Sequence, residues 1–324
     1  MIDLTTLLPL PVMFFALGLA AGLLRSDLAV PEAVAKGLSL YLMMAIGLKG
    51  GIAIAAPGGA AGLLPALGVG VALSFLLPLP AFALLRGLTK LDRETAAAVA
   101  GHYGSVSVVT FAAAVGVLNA AGITYEGFMP AVLAAMETPA ILTALLLARG
   151  GDSAKPSRAP RGHLLREVLL NGSVVLLLGS FAIGWAAGVP ARPQLAPFIE
   201  GLWTGALCLF LLEIGLLAAR QLRAAPGRLG PRLIVFGLVM PLLGAAAGLA
   251  GGTLAGLSVG GVALMTVLAA SASYIAVPAA MRMALPRADA GVYVSLSIAI
   301  TFPFNVVVGI PLYLRVAQWI GGTT

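Results

Sequence analysis

From Thr95 to Tyr125 the chain contains no Asp, Glu, Lys or Arg. An uncharged stretch of that length belongs in a bilayer, because a helix needs only about 20 apolar residues to cross one. Ten stretches meet that requirement, at about 7–24, 34–56, 63–85, 95–118, 127–148, 164–187, 197–217, 233–250, 259–283 and 291–319. With 60% of residues hydrophobic and 10% charged, polar side chains are too few to coat a soluble particle of 324 residues. The expected fold is therefore an all-α integral membrane protein of ten transmembrane helices. Met1-Ile2-Asp3 lacks the basic region of a cleavable signal peptide, so the first stretch reads as a retained helix. Cys208 is the sole cysteine, which excludes an intramolecular disulfide and a thiolate metal cluster.

Lysine and arginine set the expected topology. Arg25, Lys36, Arg86, Lys90, Arg93, Arg149, Lys155, Arg158, Arg161, Arg166, Arg220, Arg223, Arg228, Arg232, Arg282 and Arg287 all follow odd-numbered spans. The opposite side has only Lys49, Arg192 and Arg315. The positive-inside rule makes the first side cytoplasmic and places both termini outside. The net charge of +7 is then a topology signal and does not point to nucleic acid.

The hydrophilic linker 149–163 divides the chain into 1–148 and 164–324, with five spans in each half. An odd number of spans inserts the two halves in opposite orientation, the arrangement of an inverted repeat. Internal similarity agrees. Gly18-Leu19-Ala20-Ala21-Gly22 is echoed by Gly184-Trp185-Ala186-Ala187-Gly188, and Ile46-Gly47-Leu48 by Ile214-Gly215-Leu216. Ser105-Val106-Ser107 is echoed by Ser271-Ala272-Ser273, and Pro139 by Pro303, in order and at a nearly constant separation.

Two stretches interrupt their spans. In Gly104-Ser105-Val106-Ser107-Val108-Val109-Thr110 and in Ser271 to Pro278, glycine, hydroxyls and β-branched residues accumulate and weaken a helix. Inverted repeats place substrates where broken helices meet near the membrane midplane, so the fourth and ninth spans are the expected broken pair. Val277-Pro278 suits a restart, since proline in the first turn forfeits an N–H that would lack an acceptor anyway. Each restarted half-helix aims N–H groups and a positive dipole end at the gap, which favours a small anion. The hydroxyls of Ser105, Ser107, Thr110, Ser271 and Ser273 add donors for that anion, or acceptors for a cation such as sodium. Close helix packing through small residues is the alternative reading.

Glu137, in Met136-Glu137-Thr138-Pro139, lies mid-span, where an unpaired acid is costly and so faces a cavity or a partner. It could ligate sodium, carry a proton or be a hydrogen-bonded structural acid. Its counterpart region offers Thr301 and Asn305 instead. Lys49 and Glu213 read as snorkelling side chains, His102 as hydrogen-bonded within the bundle and His163 as solvated. Arg282 and Arg287 read as anchors of the cytoplasmic end of the ninth span. No carboxylate–histidine cluster suggests a metalloenzyme and no nucleophile with an adjacent base suggests a hydrolase. A transporter is expected, not an enzyme.

At these residues the sequence resembles the cyanobacterial-type sodium-dependent bicarbonate transporters, the SbtA family. The resemblance is carried by Gly104 through Ala114, Ile123-Thr124-Tyr125-Glu126, Glu137-Thr138-Pro139-Ala140, Ile46-Gly47-Leu48 with Gly50-Gly51, Ala270-Ser271-Ala272-Ser273, Pro278, Arg282 and Gly309-Ile310-Pro311-Leu312. It implies a scaffold from the first two helices of each repeat, a mobile core from the rest, a homotrimer, and elevator-like sodium-coupled uptake across a bacterial inner (plasma) membrane. A PII-like cytoplasmic regulator is also implied. The chain departs from the family pattern at Tyr274, at Val277 before Pro278 and at Glu137, where the family has aspartate. The expected anion site comprises Gly104, Ser105, Ser107, Ser271, Ala272, Ser273 and Val277. Sodium, as coupling ion and with no resident cofactor, is expected at Ser107, Thr110, Glu137, Ser273, Thr301 and Asn305. The rival readings are an organic-anion or cation/proton carrier of related ten-helix fold and an uncoupled anion channel.

Overall fold

The computed structural model describes residues 10–149, 172–224 and 229–322, and among these no residue is in a strand. Among the described residues, seven helices are long and apolar enough to cross a membrane: Glu32–Ile54, Leu63–Leu88, Arg93–Ala120, Met129–Arg149, Val189–Ala224, Pro231–Leu254 and Ala290–Gly321. Leu10–Leu23, Gly172–Ala187 and Val259–Ala270 are shorter apolar helices. The chain is a multi-pass helical membrane protein. Beyond Arg149 the expected linker lies outside the described residues, as does the start of the expected span 164–187.

Numbered in chain order, the helices used below are α1 (Leu10–Leu23), α2 (Glu32–Ile54), α3 (Leu63–Leu76), α4 (Pro78–Leu88), α5 (Arg93–Gly104), α6 (Val108–Ala120), α7 (Met129–Met136) and α8 (Pro139–Arg149). The second half contributes α9 (Gly172–Ala187), α10 (Trp203–Ala224), α11 (Pro231–Leu254), α12 (Val259–Ala270), α13 (Ala276–Ala284), α14 (Ala290–Ser295) and α15 (Ile310–Gly321). The expected seventh span, 197–217, lies within the apolar helix Val189–Ala224, whose first part is irregular. Pro190, Pro193 and Pro197 each remove a backbone donor, so 189–201 winds irregularly through a tight turn, a short α-helical turn and a wide turn, and the regular helix runs from Trp203 to Ala224.

The most extensive contacts join α1 to α10 and α2 to α9, so each seam takes one helix from either half of the chain. Glycine makes both seams possible. A Cβ on Gly18 would collide with the Leu212 carbonyl, and one on Gly215 with that of Phe15. A Cβ on Gly51 would collide with the Phe181 carbonyl, and one on Gly184 with that of Leu48. Backbones this close exclude lipid and gain dispersion over the whole seam, as in other small-residue membrane interfaces. The echoed motifs around Gly18 and Gly184, and around Gly47 and Gly215, are therefore the contact points themselves.

The remaining helices pack mainly among themselves, through α11 with α12, α5 with α8, α4 with α5, α12 with α15 and α3 with α7. Arg287 pairs with Glu94, and Asp289 N–H donates to Thr95 Oγ1 (3.0 Å), so the loop after α13 is tied to the first turn of α5. Asp92 caps that turn by accepting from Thr95 N–H (2.9 Å). Glu213 departs from expectation. It is mid-helix in α10, 7% exposed and paired with Arg220 two turns on (2.5 Å), so it is a buried acid with its own counter-charge and does not snorkel.

Candidate functional site

Both expected interruptions occur. Helix stops at Gly104 and restarts at Val108, and it stops again at Ala270 and restarts at Ala276. Ser105 and Ser271 leave their helices with extended backbone, at φ −86°, ψ 175° and φ −82°, ψ 164°. The two breaks touch. Ser107 N–H donates to Ser271 Oγ (3.0 Å), and Ser273 N–H donates to the His102 carbonyl (2.8 Å). The breaks thus satisfy each other's backbone, which lipid could not do.

Ser107 caps α6 by accepting from Thr110 N–H (3.2 Å). The first-turn N–H groups of Val108 and Val109 have no intrahelical acceptor and point, with the positive dipole end, into the break. α13 begins similarly, with no side-chain cap and Pro278 in its first turn. At the other ends, Asn305 Nδ2 donates to the Ala270 carbonyl (2.8 Å), and Ser271 Oγ donates to that of Leu268 (2.8 Å). Carbonyl ends of α5 and α12 and the N–H end of α6 therefore converge on one buried place. Ser105, Ser107, Ser271 and Ser273 are each under 5% exposed there.

A third interruption, which the sequence reading did not assign, adjoins the first. The fifth span breaks between α7 and α8 at Glu137 and Thr138, just before Pro139. Ser105 Oγ donates to the Glu137 carbonyl (3.0 Å). Ser74 bridges the same break, donating to the Met136 carbonyl (2.7 Å) and accepting from Ala140 N–H (3.2 Å). Around the mate of Pro139, Pro303, the tenth span is wound irregularly, with wide turns over Leu296–Thr301 and Asn305–Gly309. The Pro139–Pro303 echo was the available signal, since each proline removes a helical donor.

The expected ligands divide. Ser105, Ser107, Ser271 and Ser273 meet at the crossing, and Glu137 joins them through Ser105. Gly104 serves approach, because a Cβ would strike the Pro78 ring and Ala140. Ala272 and Val277 are packed into an apolar cluster with Tyr103 and Met281. Thr301 faces elsewhere: its hydroxyl donates to the Gly237 carbonyl (2.9 Å) and so accepts from Tyr103 (2.5 Å). Asn305 caps α12 and accepts from Tyr313 OH (3.0 Å). Tyr274 lies beside Ser107, and its buried hydroxyl has no well-aligned hydrogen-bond partner among the described residues.

His102 is fully buried, hydrogen-bonded through Nδ1 to the Ala98 carbonyl (2.7 Å) and stacked on Tyr293, as expected of a bundle histidine. Among the described residues no group of three or more His, Cys, Asp or Glu is placed to hold a metal. Outside the crossing, Glu126 Oε1 accepts from Ser258 N–H (2.6 Å) at the start of α12. A Cβ on Gly260 would strike the Thr124 carbonyl, so the loop after α6 is pressed onto α12 and the two broken spans share their far ends.

The family model of the Na+-dependent bicarbonate transporter superfamily matches residues 10–318. The chain belongs to this family. No curated protein matches it. Two buried side-chain oxygens near these breaks remain unsatisfied among the described residues. Thr110 Oγ1 and Glu137 Oε2 are oxygens without a hydrogen-bond partner, and an oxygen buried that way is costly unless something else fills its coordination. Oxygen is the donor that hard cations select.

Replacing Ser107 by alanine removes the α6 cap and is expected to cost about 1 kcal/mol. Thermal unfolding in detergent should show a modest downward shift. An unchanged melting point would mean that the cap contributes nothing.

Proposed function

We propose that this member of the superfamily takes up bicarbonate, or an anion of the same size, together with sodium. The supporting observation is the Ser107–Ser271 crossing, where the N-terminus of α6 meets the end of α12, together with the buried oxygens of Thr110 and Glu137, which have no hydrogen-bond partner among the described residues. Val108 and Val109 N–H groups and the serine hydroxyls hold the anion, and the N-terminal dipole of α6 supplies its counter-charge. Sodium binds Thr110 Oγ1 and the Glu137 carboxylate, adjacent to the anion, so each ion lowers the cost of burying the other. Because Thr301 and Asn305 hydroxyl and amide groups are engaged elsewhere, they act as second-line supports of α11 and α12.

Ten spans in two inverted repeats, with both termini outside, complete the proposed architecture. α1, α2, α9 and α10 form the static scaffold through their glycine seams, and the other helices move as an elevator carrying the crossing. Assembly as a homotrimer in a bacterial inner membrane, and control by a PII-like protein, follow from the family resemblance alone.

Uptake of labelled bicarbonate into proteoliposomes tests the proposal, with an inward sodium gradient expected to accelerate uptake over a matched potassium gradient. Bicarbonate flux that ignores the sodium gradient would identify a channel, and flux that follows a proton gradient without sodium would identify a proton carrier working through Glu137.

A further inference from the structure

A second place in the molecule is built for negative charge. A cavity of about 430 Å³ opens between α2, the turns leading into α10, and the second half of α6 with the loop after it. It lies on the side that the charge count makes external, and it reaches Phe111, one turn beyond Ser107. Water occupies about 30 Å³ per molecule, so this volume holds a small oxyanion with much of its hydration shell.

The charged side chains in its wall are both cationic, beside the neutral polar groups of Asn119, Thr124 and Tyr125. The two cations are Lys49 and Arg192, and the Trp203 side chain also lines the cavity. No carboxylate is among the lining residues. Arg192 is neutralised by Glu200 at 3.1 Å in a pair that is mostly in solvent. Lys49 is half-buried, feels Glu200 and Arg192 only at longer range, and has no ion pair among the described residues. An unpaired ammonium on a transmembrane helix is expensive and is usually functional. Low-dielectric walls around it focus its field into the cavity and raise the local concentration of anions.

The geometry points to this cavity as an anion-capture site in which Lys49 is the counter-charge, filled before the crossing and distinct from it. The crossing holds an anion with backbone N–H groups of broken helices. The cavity attracts one with a full positive charge on α2, an unbroken helix fixed to α9 by Gly47 and Gly51. The class of ligand is a small monovalent inorganic anion. The inference rests on the proposed transport only for the order in which the two places are filled.

Trp203 provides a reporter that does not require transport. The chain has three tryptophans, and Trp185 and Trp319 are 62% and 73% exposed, so both can be replaced by phenylalanine in the full-length protein. Iodide, caesium and acrylamide quenching of Trp203 fluorescence is then compared in lipid nanodiscs. Iodide should quench several-fold better than caesium. Lys49→Gln should lower the iodide constant roughly five-fold, the effect of one charge at contact in a water-like medium, and leave acrylamide unchanged. Lys49→Arg should retain iodide quenching, and sodium bicarbonate should protect Trp203 better than sodium gluconate at equal ionic strength. Iodide quenching indifferent to Lys49→Gln overturns the inference, as does a fall shared equally by acrylamide, which reports shape and not charge. Charge-dependent quenching without bicarbonate uptake would sink the proposed function and leave this site standing. Uptake with charge-blind quenching would do the reverse.

Discussion

With glutamine in place of Glu137, the sodium concentration that half-saturates uptake is expected to rise roughly ten-fold or more, while the protein still folds. Glu137 is 3% exposed, its carbonyl accepts from Ser105, and its Oε2 has no partner. Glutamine keeps the shape and the backbone bond and removes only the charge. Two unit charges 4 Å apart attract by about 4 kcal/mol at an effective dielectric of 20. A third of that is a ten-fold change in affinity. Glu137→Asp, which keeps a carboxylate one methylene shorter, should recover much of the loss. Half-saturation unchanged in Glu137→Gln would remove the carboxylate from the sodium site and return it to a structural role at the α7–α8 break.

Leucine at Gly18 should open the α1–α10 seam at a cost of about 1 to 3 kcal/mol, the usual range for overpacking a close contact. The obstacle is the Leu212 carbonyl, a backbone atom that cannot step aside by changing rotamer. The matching control is Gly37→Leu on α2, where nothing lies within 4 Å of an added Cβ. Melting in detergent should fall by several degrees for Gly18→Leu and barely move for Gly37→Leu. Equal shifts would show that the seam tolerates separation.

The breaks at Ser105–Ser107 and Ser271–Ser273 were legible because two independent signals coincided, helix-weakening composition and an internal echo. Their contact at Ser107–Ser271 followed from the opposite orientation expected of the two halves. Glycine seams could be located but not interpreted, since Gly18 and Gly215 occur in a chain with 41 glycines and nothing local distinguishes a backbone contact. The α7–α8 break was hidden because proline is tolerated within membrane helices, as Pro241 is inside α11. Thr301 and Asn305 were legible as polar residues at the right depth, but not in direction. Which face of an irregular turn carries a side chain depends on windings such as Leu296–Thr301, which no periodicity announces. Lys49 looked like an ordinary interfacial lysine, because the cavity beside it is made by loop residues around Gly122 and Gly127, far along the chain.

The seams also bear on how the molecule is made. Each joins a helix of the first half to one of the second, so α1 and α2 are synthesised long before α10 and α9 exist to cover Gly18 and Gly51. At about 5–20 residues per second, Gly18 waits on the order of 10 to 40 s for Leu212 to leave the ribosome. During that interval the nascent first half presents bare glycine faces to lipid or to the insertion machinery. Biogenesis therefore contains an interval in which these glycine faces have not yet met the helices that cover them.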